Sequence, residues 1–275
     1  MREAAGGRGP QTYGTDRGAA RTGDTHYARG VRTTTALPRS ADLAVWFSAW
    51  AAGQASLDDA RDAIVGSDAA HDLLGLPGET EPVPLILALG RLRSEGAVAA
   101  GLALPVPGDP LGLAGPPAFN ADALEMEEAV VLEGVDAGLV PHVAGAGVMW
   151  SYHRASSRRQ VPDLAEADTA LRQAVIAAAE VLADLDVARW RPEIADELMA
   201  LRRPADLPFP PQWDARAVRV ASLAARCRTI VDLALEDEGG AISAAEAEAR
   251  RTALTPLDHA ARRGLVAACS FLPGR

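Results

Sequence analysis

The segment GLVPHVAGAGVMWSYHR, residues 138–154, decides the fold. Two runs with apolar character, Gly138–Val143 and Val148–Arg154, flank a small-residue turn around Ala144–Gly147, and this predicts a β-hairpin. Successive side chains of a strand point to opposite sides. If Val143 pairs with Val148, one face carries Leu139, Pro141, Val143, Val148, Trp150 and Tyr152. The other carries His142, Met149, Ser151 and His153. The apolar set is expected to pack on the core.

Working outward, Val98–Val106 and Glu128–Glu133 read as further strands between Gly/Pro turns. Three helices are expected before them. Ser40 is expected to cap Ala41–Gln54, whose Leu43, Trp46, Phe47 and Trp50 recur at helical spacing. Ser56 with Asp59 resembles a capping box for Leu57–Val65, and Pro84–Ser94 ends at Gly96. Beyond Pro162 the pattern is helical. Leu164, Leu171, Val175, Ala178, Leu182 and Leu185 form the first stripe, and a shorter helix runs from Pro192 to Arg202–Arg203. Pro204–Trp213 reads as an extended connector. Asp214 is expected to cap a helix to about Glu236, ended by Gly239–Gly240, with Val220, Leu223, Cys227, Ile230 and Ala234 as its stripe. Ser243 and Glu246 open another helix, and Thr255–Pro256 a last one with Leu257, Ala261, Leu265 and Cys269 on one side. The fold class is α+β with helix dominant: a small antiparallel sheet flanked by helices, followed by a C-terminal helical bundle. Three parts are expected: a basic disordered tail at 1–39, an α+β domain at 40–160 and the bundle at 161–275.

The 275 residues allow one large domain or two small ones, and 48% are hydrophobic but only 4% aromatic, so Ala, Leu and Val must build the core. All 27 basic residues are arginine. Without lysine, a lysine Schiff base and a Walker-type phosphate site are excluded. The net charge of -10 disfavours nucleic acid and anionic membranes. There is no apolar run long enough to span a bilayer and no secretory signal, which makes the cytoplasm the expected location. The first 39 residues hold seven arginines against Glu3, Asp16 and Asp24 and almost no large apolar residue. Either they form a tail, or translation starts downstream, near Val31.

Two phrases carry a resemblance: LPVPGDPLGLAGPPAFN (Leu104–Asn120) and TPLDHAARRGLVAACS (Thr255–Ser270). With them, residues 40–270 resemble an uncharacterised group of hypothetical proteins from high-GC actinobacteria. The resemblance implies a bacterial cytoplasmic protein and assigns no activity.

Candidate chemistry is sparse. The loop Pro105–Asn120 has five prolines and three glycines, Gly108, Gly112 and Gly115, whose spacing fits no phosphate-binding pattern. It reads as a rigid surface loop with Asn120 capping a helix at Ala121–Met126. No Arg or Lys occurs between Arg93 and Arg154, while Glu95, Asp109, Asp122, Glu125, Glu127, Glu128, Glu133 and Asp136 do. An acidic surface made from Asp122, Glu125, Glu127, Glu128 and Glu133 is therefore the expected docking site for a protein with a basic surface. No metal or cofactor is expected. HExxH and CxxC are lacking, and His142 and His153 are offset by about 13 Å along the strands, too far for one zinc ion. Cys227 and Cys269 sit on apolar stripes as buried thiols, and no GxSxG elbow marks a nucleophile. Catalytic residues stay unassigned. The leading expectation is a non-enzymatic protein-binding module. The first alternative is a small-molecule enzyme or binding protein with a pocket between sheet and bundle, where Arg154, Arg158 and Arg159 meet an anion. The second is a degenerate winged-helix-like regulator reading DNA through Arg91 and Arg93.

Overall fold

The computed structural model describes residues 36–184, 207–236 and 244–270. In chain order its elements are α1 (Arg39–Ala51), α2 (Leu57–Val65), β1 (His71–Leu74), β2 (Val83–Pro84), α3 (Leu85–Ser94), β3 (Ala99–Ala103), α4 (Pro117–Met126), β4 (Ala129–Glu133), β5 (Ala137–Ala144), β6 (Gly147–Arg154), α5 (Leu164–Asp184), α6 (Ala215–Glu236) and α7 (Ala244–Cys269). The class is α+β, as the hairpin reading predicts. The six strands form one sheet in the order β2-β1-β6-β5-β4-β3. The sheet is mixed, because β1 runs parallel to β6 while every other pair is antiparallel. This corrects the wholly antiparallel expectation, which lacked β1 and β2.

The hairpin has the predicted register, with Val143 opposite Val148 and Ala144 opposite Gly147. Leu139, Val148 and Trp150 are buried on the inner face with Leu102, Val130 and Leu132. Against that face pack α1 and α3, α7 reaches β3, and α5 and α6 pack on α7; one hydrophobic cluster runs through all of them. Ala103, Phe119, Ala123, Ala129, Val131, Val140 and Ala155 form a second, smaller cluster. It lies on the outer face, where α4 covers β4 and β5.

Local signals explain several boundaries. The Ser56 Oγ accepts the Asp59 amide at 3.0 Å, and the Asp214 Oδ1 accepts the amides of Arg216 and Ala217 at 2.9 and 2.8 Å. Both caps start their helices where the sequence places them. Three expectations need correction. α1 begins at Arg39, and Ser40 lies inside it, its amide donating to the Glu128 Oε2 at 2.8 Å; a distant carboxylate meets the orphan N–H. Asn120 is not an N-cap: α4 begins at Pro117, since proline suits the first turn, and the Asn120 Oδ1 reaches back to accept from the Gly115 amide at 3.0 Å. Pro256 does not start a helix but lies inside α7, where Leu254 and Leu257 bury on both sides of it and packing outweighs the lost hydrogen bond. The tail expectation also ends too late, because Leu37 is already buried and Arg39 is helical; its first 35 residues lie outside the described ones. So do Leu185, the Pro192–Arg203 helix, Pro204, Gly239–Gly240 and the Ser243 cap.

β3 is an edge strand, and side chains seal it. The Ser48 Oγ on α1 accepts the Ala100 amide at 2.9 Å and shares its proton between the Ala44 carbonyl at 2.7 Å and the Ala100 carbonyl at 3.0 Å. The Ser270 Oγ, just past α7, accepts the Leu102 amide at 3.0 Å, and the Arg159 Nη1 donates to the Leu102 carbonyl at 2.9 Å. Outward-facing backbone groups that would otherwise invite another strand are thus satisfied.

Candidate functional site

On the outer sheet face, α4 is held unusually close to β5. A Cβ on Gly138 would lie 2.5 Å from the Phe119 Cζ, so only glycine lets the ring settle there. Asp122 follows Phe119 by three residues on the same side of α4 and therefore faces the hairpin. Ser151 donates to the Asp122 Oδ2 at 2.7 Å. The His153 Nε2 lies 2.6 Å from the same oxygen and the His142 Nε2 3.3 Å from it, and each Nε2 is 3.1 Å from the Ser151 Oγ. All four side chains are partly exposed. The cluster sits at the border where α4 stops covering the sheet: beyond it, Leu74 of β1, in register with Ser151, is exposed.

Burial pushes the Asp122 carboxyl up, but the hydrogen bonds from Ser151 and His153 and the charge of His142 outweigh it and hold the group below its ordinary value. The cluster therefore keeps a carboxylate between two imidazoles. It is not a Ser–His–Asp triad. A triad aspartate orients the imidazole from the nitrogen remote from the serine, whereas here carboxylate and hydroxyl meet the same Nε2. The backbone of Ser151 is also paired on both sides, with β5 and β1, and offers no oxyanion donor.

The expected distance between His142 and His153 needs correction. Their backbone offset is as predicted, since His142 lies opposite Met149 and His153 opposite Gly138. Their side chains nevertheless lean toward each other and share one oxygen. That shared point is filled by the Asp122 oxygen itself, and among the described residues no three His, Cys, Asp or Glu side chains are arranged to hold a metal ion.

The other expected acids do not join Asp122 in one surface. Glu125 is exposed on α4, one turn beyond Asp122, and Glu127 ends the helix in the left-handed conformation at φ 57°. Glu128 turns its carboxylate inward to the start of α1; burial raises its pKa, and the Ser40 bonds and Arg39 oppose that rise. Glu133 lies at the far end of β4, beside the exposed Asp136. The acidic window thus divides between the α4 end and the β4–β5 turn. Its loop is not without a cation either. The Arg262 Nη1 of α7 donates to the Leu104 carbonyl and to the Asp109 Oδ2, both at 3.0 Å, and the His259 Nδ1 lies 3.2 Å from the same Asp109 oxygen. The partner for the loop comes from another part of the sequence, so a local charge count misses it.

The three arginines offered for an anion part company. Arg154 and Arg158 are exposed, while Arg159 lies over Gly101 against the edge of β3, and burial lowers its pKa to about 10. The main hydrophobic cluster runs across the junction between sheet and bundle, the place of the expected pocket. The two arginines of the winged-helix alternative have partners within the chain. Arg91 binds Glu79, Glu95 and the Pro77 carbonyl, and Arg93 stacks 4.6 Å over Trp50 and donates to the Ala51 carbonyl. Both cysteines are buried, as read; burial raises the Cys227 thiol to about 11 and pushes Cys269 up as well.

Sequence reasoning put His142, Ser151 and His153 on one face but left Asp122 among surface acids. The missing signal was the aromatic–glycine pair Phe119–Gly138, which brings α4 onto that face.

Fold and site define an α+β protein with a mixed six-stranded sheet whose outer face carries a carboxylate, a hydroxyl and two imidazoles. The chain belongs to the Rv1486c-like family: residues 40–167 match its N-terminal domain and residues 165–266 its C-terminal domain. "Uncharacterized protein Rv1486c" of Mycobacterium tuberculosis H37Rv is 30% identical over 282 residues, covering 85% of this chain and 96% of that protein. "Uncharacterized protein ML1804" of Mycobacterium leprae is 28% identical over 289 residues, with 85% and 96% covered. The actinobacterial resemblance read from Leu104–Asn120 and Thr255–Ser270 agrees with this membership. No solved structure matches the chain. Among the described residues, no helix is long and apolar enough to cross a membrane.

Proposed function

We propose that this chain is a protein-binding module whose docking surface is the exposed end of α4 with the adjoining hairpin, and that its partner presents arginine or lysine side chains. The observation that carries this reading is the exposure of Glu125 at the end of α4, with the partly exposed Asp122 one turn before it and Glu127 closing the helix. Such a surface attracts cationic partners at a rate that falls with salt. Glu128 and Glu133 drop out of the docking set, one turned inward and the other at the far end of β4. The reading is non-catalytic, since the hydroxyl–imidazole geometry lacks both an orienting group and an oxyanion donor.

The test uses the full chain and a short arginine-rich peptide as a model ligand, titrated calorimetrically at about 50 and 300 mM salt, where the screening length differs about twofold. Saturable binding that weakens with salt and disappears in the Glu125→Arg/Glu127→Arg variant supports the surface. Failure to bind at the lower salt, or binding that the charge reversal leaves intact, removes it.

A further inference from the structure

The docking surface has titratable groups built into its centre. Three elements converge on the Asp122 Oδ2: α4 supplies the carboxylate, β5 supplies His142, and β6 supplies Ser151 and His153. β1 adds Asp72 on the same sheet face, in register with Met149. β4 presents Ala129 and Val131 there and, at its far end, Glu133. The ring of Phe119 lies 5.8 Å from that of His153 and shields it on the α4 side. Glu125 follows Asp122 by three residues, so the cluster and the exposed glutamate are helix neighbours about 5–6 Å apart at Cβ.

We infer that the Asp122–Ser151–His142–His153 cluster regulates docking at the α4 surface by protonation, releasing a cationic partner when both imidazoles become charged. This rests on the binding reading above. With neutral imidazoles the cluster carries the single negative charge of Asp122 and adds to Glu125 and Glu127. With both protonated it carries one net positive charge, a swing of two charges within one helical turn of the docking glutamates. Imidazole is the side chain whose ordinary titration range spans mildly acidic to neutral pH. The serine lets either state persist without an orphaned donor, because its hydroxyl donates to the carboxylate and its lone pairs face both Nε2 atoms. No covalent step or conformational change is required. The change is electrostatic, at a distance where exposed charges still interact at physiological salt.

The experiment repeats the arginine-peptide titration at pH 7.5 and 5.5 with the wild-type chain and with His142→Gln/His153→Gln. Arginine in the peptide does not titrate in this range, and glutamine keeps a donor and an acceptor on the half-exposed face. Wild-type affinity is expected to fall roughly fivefold between the two pH values, the size set by two charges acting across a partly solvated gap of this length. The double variant, compared with itself at the two pH values, is expected to show less than about half of that pH effect, since glutamine carries no charge at either. An equal fall in both proteins overturns the inference and leaves the docking surface standing. Absence of binding at both pH values overturns the surface and the inference together.

Discussion

At the scale of single residues, Gly101 and Arg159 explain each other. The guanidinium of Arg159 lies flat on the glycine: a Cβ built at Gly101 would fall 1.5 Å from its Nη2 and 2.6 Å from its Cζ. The same arginine donates one hydrogen bond to the β3 edge through Nη1, while its Nε and Nη2 are buried without an acceptor. Two opposite effects follow. Gly101→Ala must evict the guanidinium from the edge, and overpacking of this kind costs about 1–3 kcal/mol. Arg159→Met gives up one bond but also removes two buried donors without partners, so it should stay within about 1 kcal/mol of wild type. Urea unfolding of both variants checks this; a methionine variant that loses more than the alanine variant would contradict it. Arg159 is also where sequence reading reached its limit. In SYHRASSRRQ the three arginines look alike, and nothing local says that only the last one meets a glycine fifty-eight residues upstream. Glycine notches are legible only once the strand opposite them is known.

At the scale of elements, α1 and β1 are joined through a chain of polar contacts that the sequence did not announce. The Arg39 Nε and Nη2 donate to Asp68 at 2.7 and 2.8 Å, the His71 Nε2 lies 3.0 Å from Asp68, and the Trp150 Nε1 donates to the His71 Nδ1 at 3.3 Å. This assigns a proton to Nε2 and fits a buried neutral imidazole, whose pKa burial lowers despite Asp68. The Arg39 hydrogen bonds, helped by His71, hold Asp68 down at about 2. A folded-state pKa below the ordinary carboxylate value means that Asp68 contributes stability above that value, lost as pH falls toward 2. The shift corresponds to about 2 kcal/mol. Asp68→Asn should therefore be less stable than wild type by about that amount at pH 7, and the gap should close as unfolding is measured at pH 4, 3 and 2. A gap independent of pH would show that Asp68 acts by shape and not by charge. Element legibility divides along the same line. The β5–β6 hairpin and the Ser56 and Asp214 caps are local patterns, and they form where the sequence places them. β1 is only His71–Leu74, and its parallel pairing with β6 joins segments some eighty residues apart, so neither its length nor its neighbours mark it. Pro256 misled for a related reason: helix continuation there is decided by what α7 packs on.

For the molecule as a whole, the question is whether the segments before and after residue 165 fold separately. The sequence suggests a boundary near 160, and the family domains divide at 165–167. The packing argues the other way for the described residues. Leu171 of α5, Val220 and Val231 of α6, and Leu254, Leu265 and Cys269 of α7 lie in the same hydrophobic cluster as Phe47, Leu102, Leu132 and Trp150. Polar ties cross the boundary as well. The Trp46 Nε1 donates to the Pro208 carbonyl at 2.7 Å, Arg262 holds Leu104 and Asp109, and Ser270 seals the β3 edge. A fragment that stops before α5 would expose the inner apolar face of the sheet and open the edge of β3, which are the features that drive strand-mediated aggregation. The full chain should therefore unfold in one transition, with far-ultraviolet circular dichroism and tryptophan fluorescence giving coincident midpoints. A fragment covering residues 36–163 should lack any cooperative transition by either probe. Two separated transitions in the full chain, or a fragment that melts sharply and stays monomeric, would establish two independent domains and make the shared core a docking interface between them.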